Sequence, residues 1–262
     1  MHLKSAITTL ALLWASSSLA LTAPPQLLLA ADGALAHIEG QSNKVNLSLF
    51  VMSRCPDARL CEDLFEEVFK TDGVFDKVNL DMNYIGHINK TEPLGVSCKH
   101  GPIECLGNAH QLCAYHHLPI EDYWAFVQCQ NFPSSFPKEI GELSFAKRCI
   151  ETIGADWWES GVGECAQGKL KHNDTSSPAS HDVERQLGKE GRKLLRKNIK
   201  RTVKRKVERS CTIEIQSTLV NAGKRTCAVD GGVWSGCDDG HTASDFVRVI
   251  EAEWKNLKSQ KD

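Results

Sequence analysis

The stretch VNLSLFVMSRCP, residues 45–56, decides how this chain folds. Its first eight residues alternate Val or Leu with other side chains, and a period of two is typical of a β-strand. The strand runs directly into Cys55 and Pro56. Proline suits the first turn of a helix, because its missing N–H group would have no partner there. The stretch therefore predicts a strand that brings one cysteine to the start of a helix.

The residues that follow extend this pattern to a strand–helix–strand unit. Apolar side chains recur at helical spacing from Cys61 to Phe69, and every second residue from Val78 to Tyr84 is apolar. A helix between two such strands favours a right-handed parallel crossover. The start of the domain is therefore predicted to be βαβ.

Further elements are predicted towards the end of the chain. A basic helix covers residues 189–209, and short strands follow at 212–215 and 226–229. A last helix carries one apolar stripe from Phe246 to Leu257, with Ser244 as its predicted cap. The predicted order is βαβ, a helical insert, α and ββα.

The insert, at about residues 98–165, differs from the rest because it holds six cysteines. Helical patterns at 121–129 and 140–153 lie within it, and the polar residues 166–188 predict an exposed loop. The insert begins with CKHGPIEC, residues 98–105. Two thiols seven positions apart in an oxidising compartment predict a disulfide loop.

This opening stretch resembles the signature Cys-Gln-His-Gly-x-x-Glu-Cys of the gamma-interferon-inducible lysosomal thiol reductase (GILT) family, with Lys99 in place of Gln. The resemblance extends from about residue 44 to 249, and includes NYIG at 83–86, the six insert cysteines, and Gly and Leu residues within 188–195. It implies an α/β, thioredoxin-like fold with a disulfide-bonded helical insertion, in a domain at 44–258. It also implies that Cys55 is the attacking cysteine of a Cys-x-x-Cys pair.

The chain has eleven cysteines, an odd number, so at least one thiol is unpaired or joins another chain. The six in the insert can form three bridges, and two more bracket a turn near residue 231. Connectivity cannot be read from a sequence. The predicted disulfide cysteines, with pairing left open, are Cys98, Cys105, Cys113, Cys129, Cys149, Cys165, Cys227 and Cys237.

The three cysteines that remain, Cys55, Cys61 and Cys211, are the predicted catalytic residues. A thiolate is the nucleophile in disulfide exchange, and the N–H groups and dipole of a helix N-terminus stabilise it. Arg54 and Arg59 add positive charge near Cys55. The prediction requires that the Cys55 sulfur be reachable from outside. The alternative is a structural cysteine.

The resolving cysteine of the family motif is missing. Ala58 stands three residues after Cys55, so the chain has Cys-Pro-Asp-Ala-x-x-Cys in place of Cys-x-x-Cys. A regular helix would separate Cys55 from Cys61 by roughly 9 Å of rise, whereas bridged Cα atoms lie within about 7 Å. Cys211 stands where thioredoxin-like proteins place a cis-proline against the active-site sulfur. Cys61, Cys211 or an external thiol is expected to resolve Cys55, while buried structural roles for Cys61 and Cys211 are the alternative.

The start of the chain predicts export. Residues 1–23 have the pattern of a signal peptide, followed by an extension at 24–43. The apolar run at 6–15 is well short of the roughly 20 residues that a membrane span needs. Asn46, Asn89 and Asn173 begin glycosylation sequons. We expect a protein without a membrane span after signal removal, secreted or held in the lumen of a lysosome or vacuole.

Residues 185–209 contain twelve Lys or Arg and only two Glu. They predict either a solvated helix face or a surface that attracts an acidic partner. Nucleic acid is not expected, because no aromatic residues interleave with the basic ones. Neither a metal nor another cofactor is expected. A zinc site at Cys98, Cys105 and the pair His116–His117 is disfavoured by the cysteine spacing.

With 41% apolar and 24% charged residues, the chain has the composition of a folded globular protein. Two functions remain. The first is a thiol–disulfide oxidoreductase that acts on protein disulfides, with a small thiol as reductant. The second is a redox-inactive binding protein built on the same scaffold.

Overall fold

The alternating residues that open the domain form an inner strand of its main sheet. In the computed structural model, which describes residues 43–168, 187–217 and 223–259, the strands are β1 (Val45–Val51), β2 (Val78–Tyr84), β3 (His87–Ile88), β4 (Val96–Ser97), β5 (Thr212–Gln216), β6 (Lys224–Asp230) and β7 (Val233–Ser235). The α-helices are α1 (Pro56–Lys70), α2 (Pro102–His117), α3 (Ile120–Gln130), α4 (Leu143–Thr152), α5 (Val162–Gln167), α6 (Lys189–Arg205) and α7 (Ala243–Ser259).

The main sheet has the order β2-β1-β5-β6-β7. Strand β1 runs parallel to β2, with Val45 opposite Val78, and antiparallel to β5, with Leu47 opposite Ile215. The parallel pair is joined through α1, as the sequence predicts. This strand order, with helix α1 directly after β1, confirms the thioredoxin-like fold.

Strand β1 is buried along its length except at Asn46. On one side α1 and α7 pack together, and the rings of Phe65 and Phe246 lie 5.1 Å apart. Helix α6 packs against β2, and the guanidinium of Arg205 lies 4.6 Å from the ring centre of Phe50 in β1. Because β1 is surrounded by packed side chains, the loop that follows it and the start of α1 are held in a defined position.

Helices α2 to α5 form the inserted region, and disulfides cross-link it. Cys113 in α2 is bonded to Cys165 in α5. A second bridge joins Cys129 at the end of α3 to Cys149 in α4. Helix α2 also packs along α6, which attaches the insert to the thioredoxin-like part.

The structure differs from the sequence-based expectation at the last helix. Helix α7 begins at Ala243, and its cap is Thr242 rather than Ser244. The backbone N–H of Asp245 donates to Thr242 Oγ1 at 3.3 Å, and the backbone N–H of Thr242 donates to Asp245 Oδ2 at 3.1 Å. This reciprocal pair is a capping box formed with Asp in place of the usual Glu.

Several expectations concern segments outside the described residues. They are the signal peptide at 1–23, nearly all of the extension at 24–43, the sequon at Asn173 and most of the polar loop at 166–188. Among the residues that the structure describes, no helix is long and apolar enough to cross a membrane.

A buried carboxyl lies on α1. Glu62 is 1% exposed, and Asn131 Nδ2 donates to its Oε2 at 2.7 Å. Burial disfavours the charged form and raises the pKa of Glu62 from 4.5 to about 8. The folded state therefore keeps a proton that the unfolded chain releases above pH 4.5. The free energy of unfolding consequently falls as the pH rises from about 4.5 to about 8.

We predict that Glu62→Gln removes this loss. Between pH 5 and pH 8 the free energy of unfolding of the wild type should fall, relative to that of the variant, by at least about 1 kcal/mol, the value of one pKa unit. Denaturant unfolding at several pH values measures it. Burial also lowers the pKa of His110 to about 4, which acts in the opposite direction. The comparison cancels that contribution, since both proteins keep His110. Parallel profiles would show that Glu62 is charged in the folded state.

Candidate functional site

Cys55 caps the N-terminus of α1. Its backbone is extended, its N–H donates to Met52 O at 2.9 Å, and its carbonyl accepts from Arg59 N at 3.1 Å. Pro56 occupies the first helical position, and no side chain of the described residues caps the helix. The N–H groups of the first turn have no partner within a helix. The cysteine therefore stands at the positive end of the helix dipole, as the sequence predicts.

The sulfur of Cys55 faces the segment that leads into β5. Its Sγ donates to Ser210 O at 3.6 Å, and Ser210 Oγ accepts from Met52 N at 2.9 Å. Cys211 is the next residue, and the peptide bond between Ser210 and Cys211 is cis. Two segments separated by 155 residues thus meet at Cys55. The expected placement of Cys211 across from the helix start agrees with this geometry.

Cys61 and Cys211 are bonded to each other. Their sulfurs are 2.13 Å apart and their Cα atoms 6.2 Å apart, and both residues are completely buried. From the sequence, Cys61, Cys211 or an external thiol was expected to resolve Cys55, but in the structure Cys61 and Cys211 are bonded to each other. The helix carries Cys61 away from Cys55, while the start of β5 passes close to both. In this state neither sulfur is a free thiol.

Cys55 is the one free cysteine. The other ten, all within the described residues, form five bridges. Cys55 is only 5% exposed, so the accessibility that the sequence analysis required is not met in this conformation. Its reaction with a large substrate requires the surrounding segments to move.

The charged residues next to Cys55 are occupied by other contacts. Arg54 Nη1 donates to Ile140 O at 2.8 Å, and Arg59 lies 3.5 Å from an Asp63 carboxylate oxygen. Asp57 accepts from the backbone N–H groups of the glycines that join β6 to β7, at 2.9 and 2.8 Å. The charged side chains next to Cys55 are thus engaged in structural contacts. Arg54 attaches the insert to the start of α1, and Asp57 attaches the β6–β7 turn to it.

The insert supports the loop before Cys55. Asn108 Oδ1 accepts from Ser53 N at 2.9 Å, and Ser53 Oγ donates to Glu104 O at 3.3 Å. Ser53, Asn108 and Ser210 were missed by the sequence analysis. They are single polar residues without a motif or periodicity, and their partners are distant along the chain. They fix the backbone that precedes Cys55 and the segment that faces its sulfur.

The signature stretch forms the start of α2. Cys98 is bonded to Cys105, and Gly101 has φ 84°, a conformation that favours glycine. Glu104 is completely buried and accepts from His100 N at 3.2 Å, and its other carboxylate oxygen contacts His100 Nδ1. Lys99, the departure from the family signature, is exposed. Its side chain takes no part in these two contacts.

The remaining predicted site residues lie elsewhere. Cys227 and Cys237 form a bridge between β6 and the loop after β7. Asn46 is exposed on β1, and the Asn89 side chain accepts from Thr91 Oγ1 at 2.7 Å. The disulfide between Cys98 and Cys105 leaves neither sulfur available to a metal.

Strand order and a cysteine at the first turn after β1 define the protein as a thioredoxin-like domain. A sequence model of the gamma interferon inducible lysosomal thiol reductase (GILT) family matches residues 46–153. The matched segment contains Cys55 and the signature stretch. Over these residues the chain is similar to the GILT family, in agreement with the resemblance of its sequence.

A curated relative, the gamma-interferon-responsive lysosomal thiol protein of Arabidopsis thaliana, is 26% identical over 136 residues. The match covers 51% of this chain and spans about half, 52%, of that relative.

Two solved structures are also similar. The reduced DsbA1 of Neisseria meningitidis has a TM-score of 0.45 and 10% identity, over 84% of this chain and 90% of that one. The α-DsbA1 of Wolbachia pipientis has a TM-score of 0.46 and 12% identity, also over 84% and 90%.

Proposed function

We propose that this protein catalyses thiol–disulfide exchange on protein substrates, with Cys55 as the attacking residue. The supporting observation is one free thiol at a helix N-terminus, in contact with the residue that precedes a disulfide-bonded Cys211. A thiolate at such a position is stabilised by the helix dipole and by N–H groups without partners. The similarity of residues 46–153 to the GILT family supports the same class of reaction.

The cycle begins when a small thiol reduces the Cys61–Cys211 bridge. Two thiol molecules give up two electrons and become one disulfide, and Cys61 and Cys211 each gain a proton. The Cys55 thiolate then attacks one sulfur of a substrate disulfide. A bond forms between Cys55 and the substrate, and the other substrate sulfur leaves as a thiolate that takes up a proton.

Cys211 completes the exchange. Its thiolate attacks the Cys55 sulfur, so that the second substrate thiol leaves and a Cys55–Cys211 bond forms. Attack of Cys61 on Cys211 restores the buried bridge and returns Cys55 to the free thiol. In sum, one substrate disulfide and two small thiols become two substrate thiols and one small disulfide. In this cycle Cys211, released by reduction of the buried bridge, acts as the resolving cysteine. The residue at the usual resolving position, Ala58, has no thiol.

The competing function is a redox-inactive binding protein on the same scaffold. Three observations favour it: Cys55 is 5% exposed, Cys61 and Cys211 are bonded to each other, and Ala58 occupies the usual resolving position. A comparison of cysteine variants separates the two functions.

We predict that the wild type accelerates the reduction of insulin by glutathione or dithiothreitol, and that Cys55→Ser lowers the rate to that of the small thiol alone. Cys211→Ser should keep the first attack and lose resolution, so a mixed disulfide between Cys55 and insulin accumulates. Turbidity measures the rate, and non-reducing electrophoresis measures the adduct.

The matched control is the double variant Cys227→Ala/Cys237→Ala, which removes the bridge between β6 and the loop after β7 and leaves Cys55, Cys61 and Cys211 unchanged. It should retain the catalysed rate. If the wild type and Cys55→Ser reduce insulin equally fast, the redox-inactive scaffold is the correct function.

We further propose an acidic compartment, such as the lumen of a lysosome or vacuole, as the place of action. The protonated form of buried Glu62 supports it, because that residue favours the folded state most at low pH. Disulfide bonds that persist also require an oxidising compartment.

The outer face of α6 is proposed to attract an acidic protein partner. Its exposed lysines follow one another three or four positions apart and therefore share one side of the helix, and none of them forms an ion pair within the described part of the chain. They are Lys189, Lys193, Lys197, Lys200 and Lys204. The arginines of α6, by contrast, are used inside the fold, as where Arg201 contacts Asp81 at 2.9 Å.

Heparin serves as a polyanionic probe of this lysine face. Replacing Lys193, Lys197 and Lys200 by Gln should lower the salt concentration of elution from a heparin column. The slope of log retention against log salt should fall by up to about three, one for each counterion no longer released. The control replaces exposed lysines elsewhere, Lys90, Lys138 and Lys255, by Gln. Equal elution of the two triple variants would refute a specific lysine face.

A further inference from the structure

Two helix ends of the protein bring three potential metal ligands together. His116 and His117 form the end of α2, and Glu190 lies in the first turn of α6. Glu190 Oε1 is 3.1 Å from His117 Nε2 and 3.7 Å from His116 Nε2. One donor atom from each residue lies within 4.8 Å of the other two. The three donors therefore converge on a common point.

The backbone around this cluster is held by close packing and by a disulfide. Cys113 and Cys165 join α2 to α5. Gly191, the neighbour of Glu190, lies so near that an added Cβ would be 3.1 Å from Cys113 Sγ. An added Cβ at Gly161 would be 2.7 Å from Nδ1 of His117. At both glycines the backbone lies closer to α2 than a residue with a side chain would allow. This close packing gives the donor residues defined positions.

The cluster is partly open to solvent. The side chains of His116, His117 and Glu190 are 23%, 25% and 39% exposed. An ion can therefore enter without unfolding, while most of each side chain is held by its neighbours.

We propose that His116, His117 and Glu190 form a zinc site. Two imidazoles and one carboxylate are a donor set that Zn²⁺ binds, with water in the fourth position. Zinc–nitrogen and zinc–oxygen bonds of about 2.0 to 2.2 Å place the donors of a tetrahedral site about 3.4 Å apart. The two observed distances to Glu190, 3.1 and 3.7 Å, lie on either side of that value. Small side-chain rotations would admit the ion.

The site would fasten the insert to the thioredoxin-like part, since α2 belongs to the first and α6 to the second. It does not depend on disulfide exchange at Cys55, which lies on a different helix. An alternative explanation of the cluster is a helix-end ion pair only, because Glu near a helix N-terminus and His near a C-terminus both suit the helix dipole. The two explanations differ in whether a metal binds.

The test uses the full-length oxidised protein, stripped with a chelator, at pH 7.5, where imidazole is available as a ligand. All proteins carry Cys55→Ser, which removes the one free thiol that could hold zinc instead. Zn²⁺ is added in competition with a chromophoric chelator. We expect one equivalent to bind, and thermal unfolding to shift upwards with added zinc.

Two ligand variants and one control variant test the assignment. His117→Gln and Glu190→Gln should each weaken zinc binding about tenfold or more, and they keep the size of the side chain or nearly so. His87→Ala, which removes an exposed histidine on β3, should bind zinc as the parent does. Circular dichroism confirms that each variant is folded.

If the parent protein does not bind zinc stoichiometrically, the cluster is a helix-end ion pair only and the proposal is overturned. This holds even if His117→Gln lowers the stability of the protein. Unchanged zinc affinity in both folded ligand variants would overturn it as well.

Discussion

The site depends on the close approach of two chain segments that lie far apart in sequence. One is the end of β1, which places Cys55 at the first turn of α1, and the other is the loop that leads into β5. Ser210 connects them, since its Oγ accepts from Met52 N at 2.9 Å and its carbonyl oxygen lies 3.6 Å from Cys55 Sγ. Antiparallel pairing of β1 with β5 brings these segments together. The free thiol and the buried bridge owe their proximity to this pairing.

The insert also holds the backbone next to Cys55 in place. The backbone before Cys55 is held by Glu104, in the signature stretch, and by Asn108, which follows it, since both contact Ser53. Arg54 reaches Ile140, between α3 and α4. A family signature more than forty residues after the reactive cysteine thus acts structurally on that cysteine. Glu104 and His100 stabilise the loop from within. Disruption of the loop is therefore expected to act on Cys55 through its backbone.

Much of the fold could be predicted because its determinants are local. Alternation from Val78 to Tyr84 gave β2 with its observed bounds, and helical spacing after Pro56 gave α1. The last helix was predicted with the wrong cap, because Ser244 and Thr242 are both good capping residues and only the contact with Asp245 distinguishes them. The pair β3–β4 was missed, because strands of two residues carry no periodicity.

The candidate site was predicted less completely, because its decisive contacts are not local. The position of Cys55 at a helix start follows from neighbouring residues alone. The pairing of Cys61 with Cys211, across 150 residues, follows from tertiary structure, and so does the low exposure of Cys55. Ser53 and Ser210 have no pattern that marks them.

The disulfide map of the oxidised protein tests this arrangement most directly. The protein is denatured in acid, alkylated at low pH so that exchange is suppressed, and digested without reduction. Mass spectrometry should find the peptide of Cys61 joined to that of Cys211, and Cys55 carrying the alkyl group. A bridge that includes Cys55, or alkylation of both Cys61 and Cys211, would contradict the account.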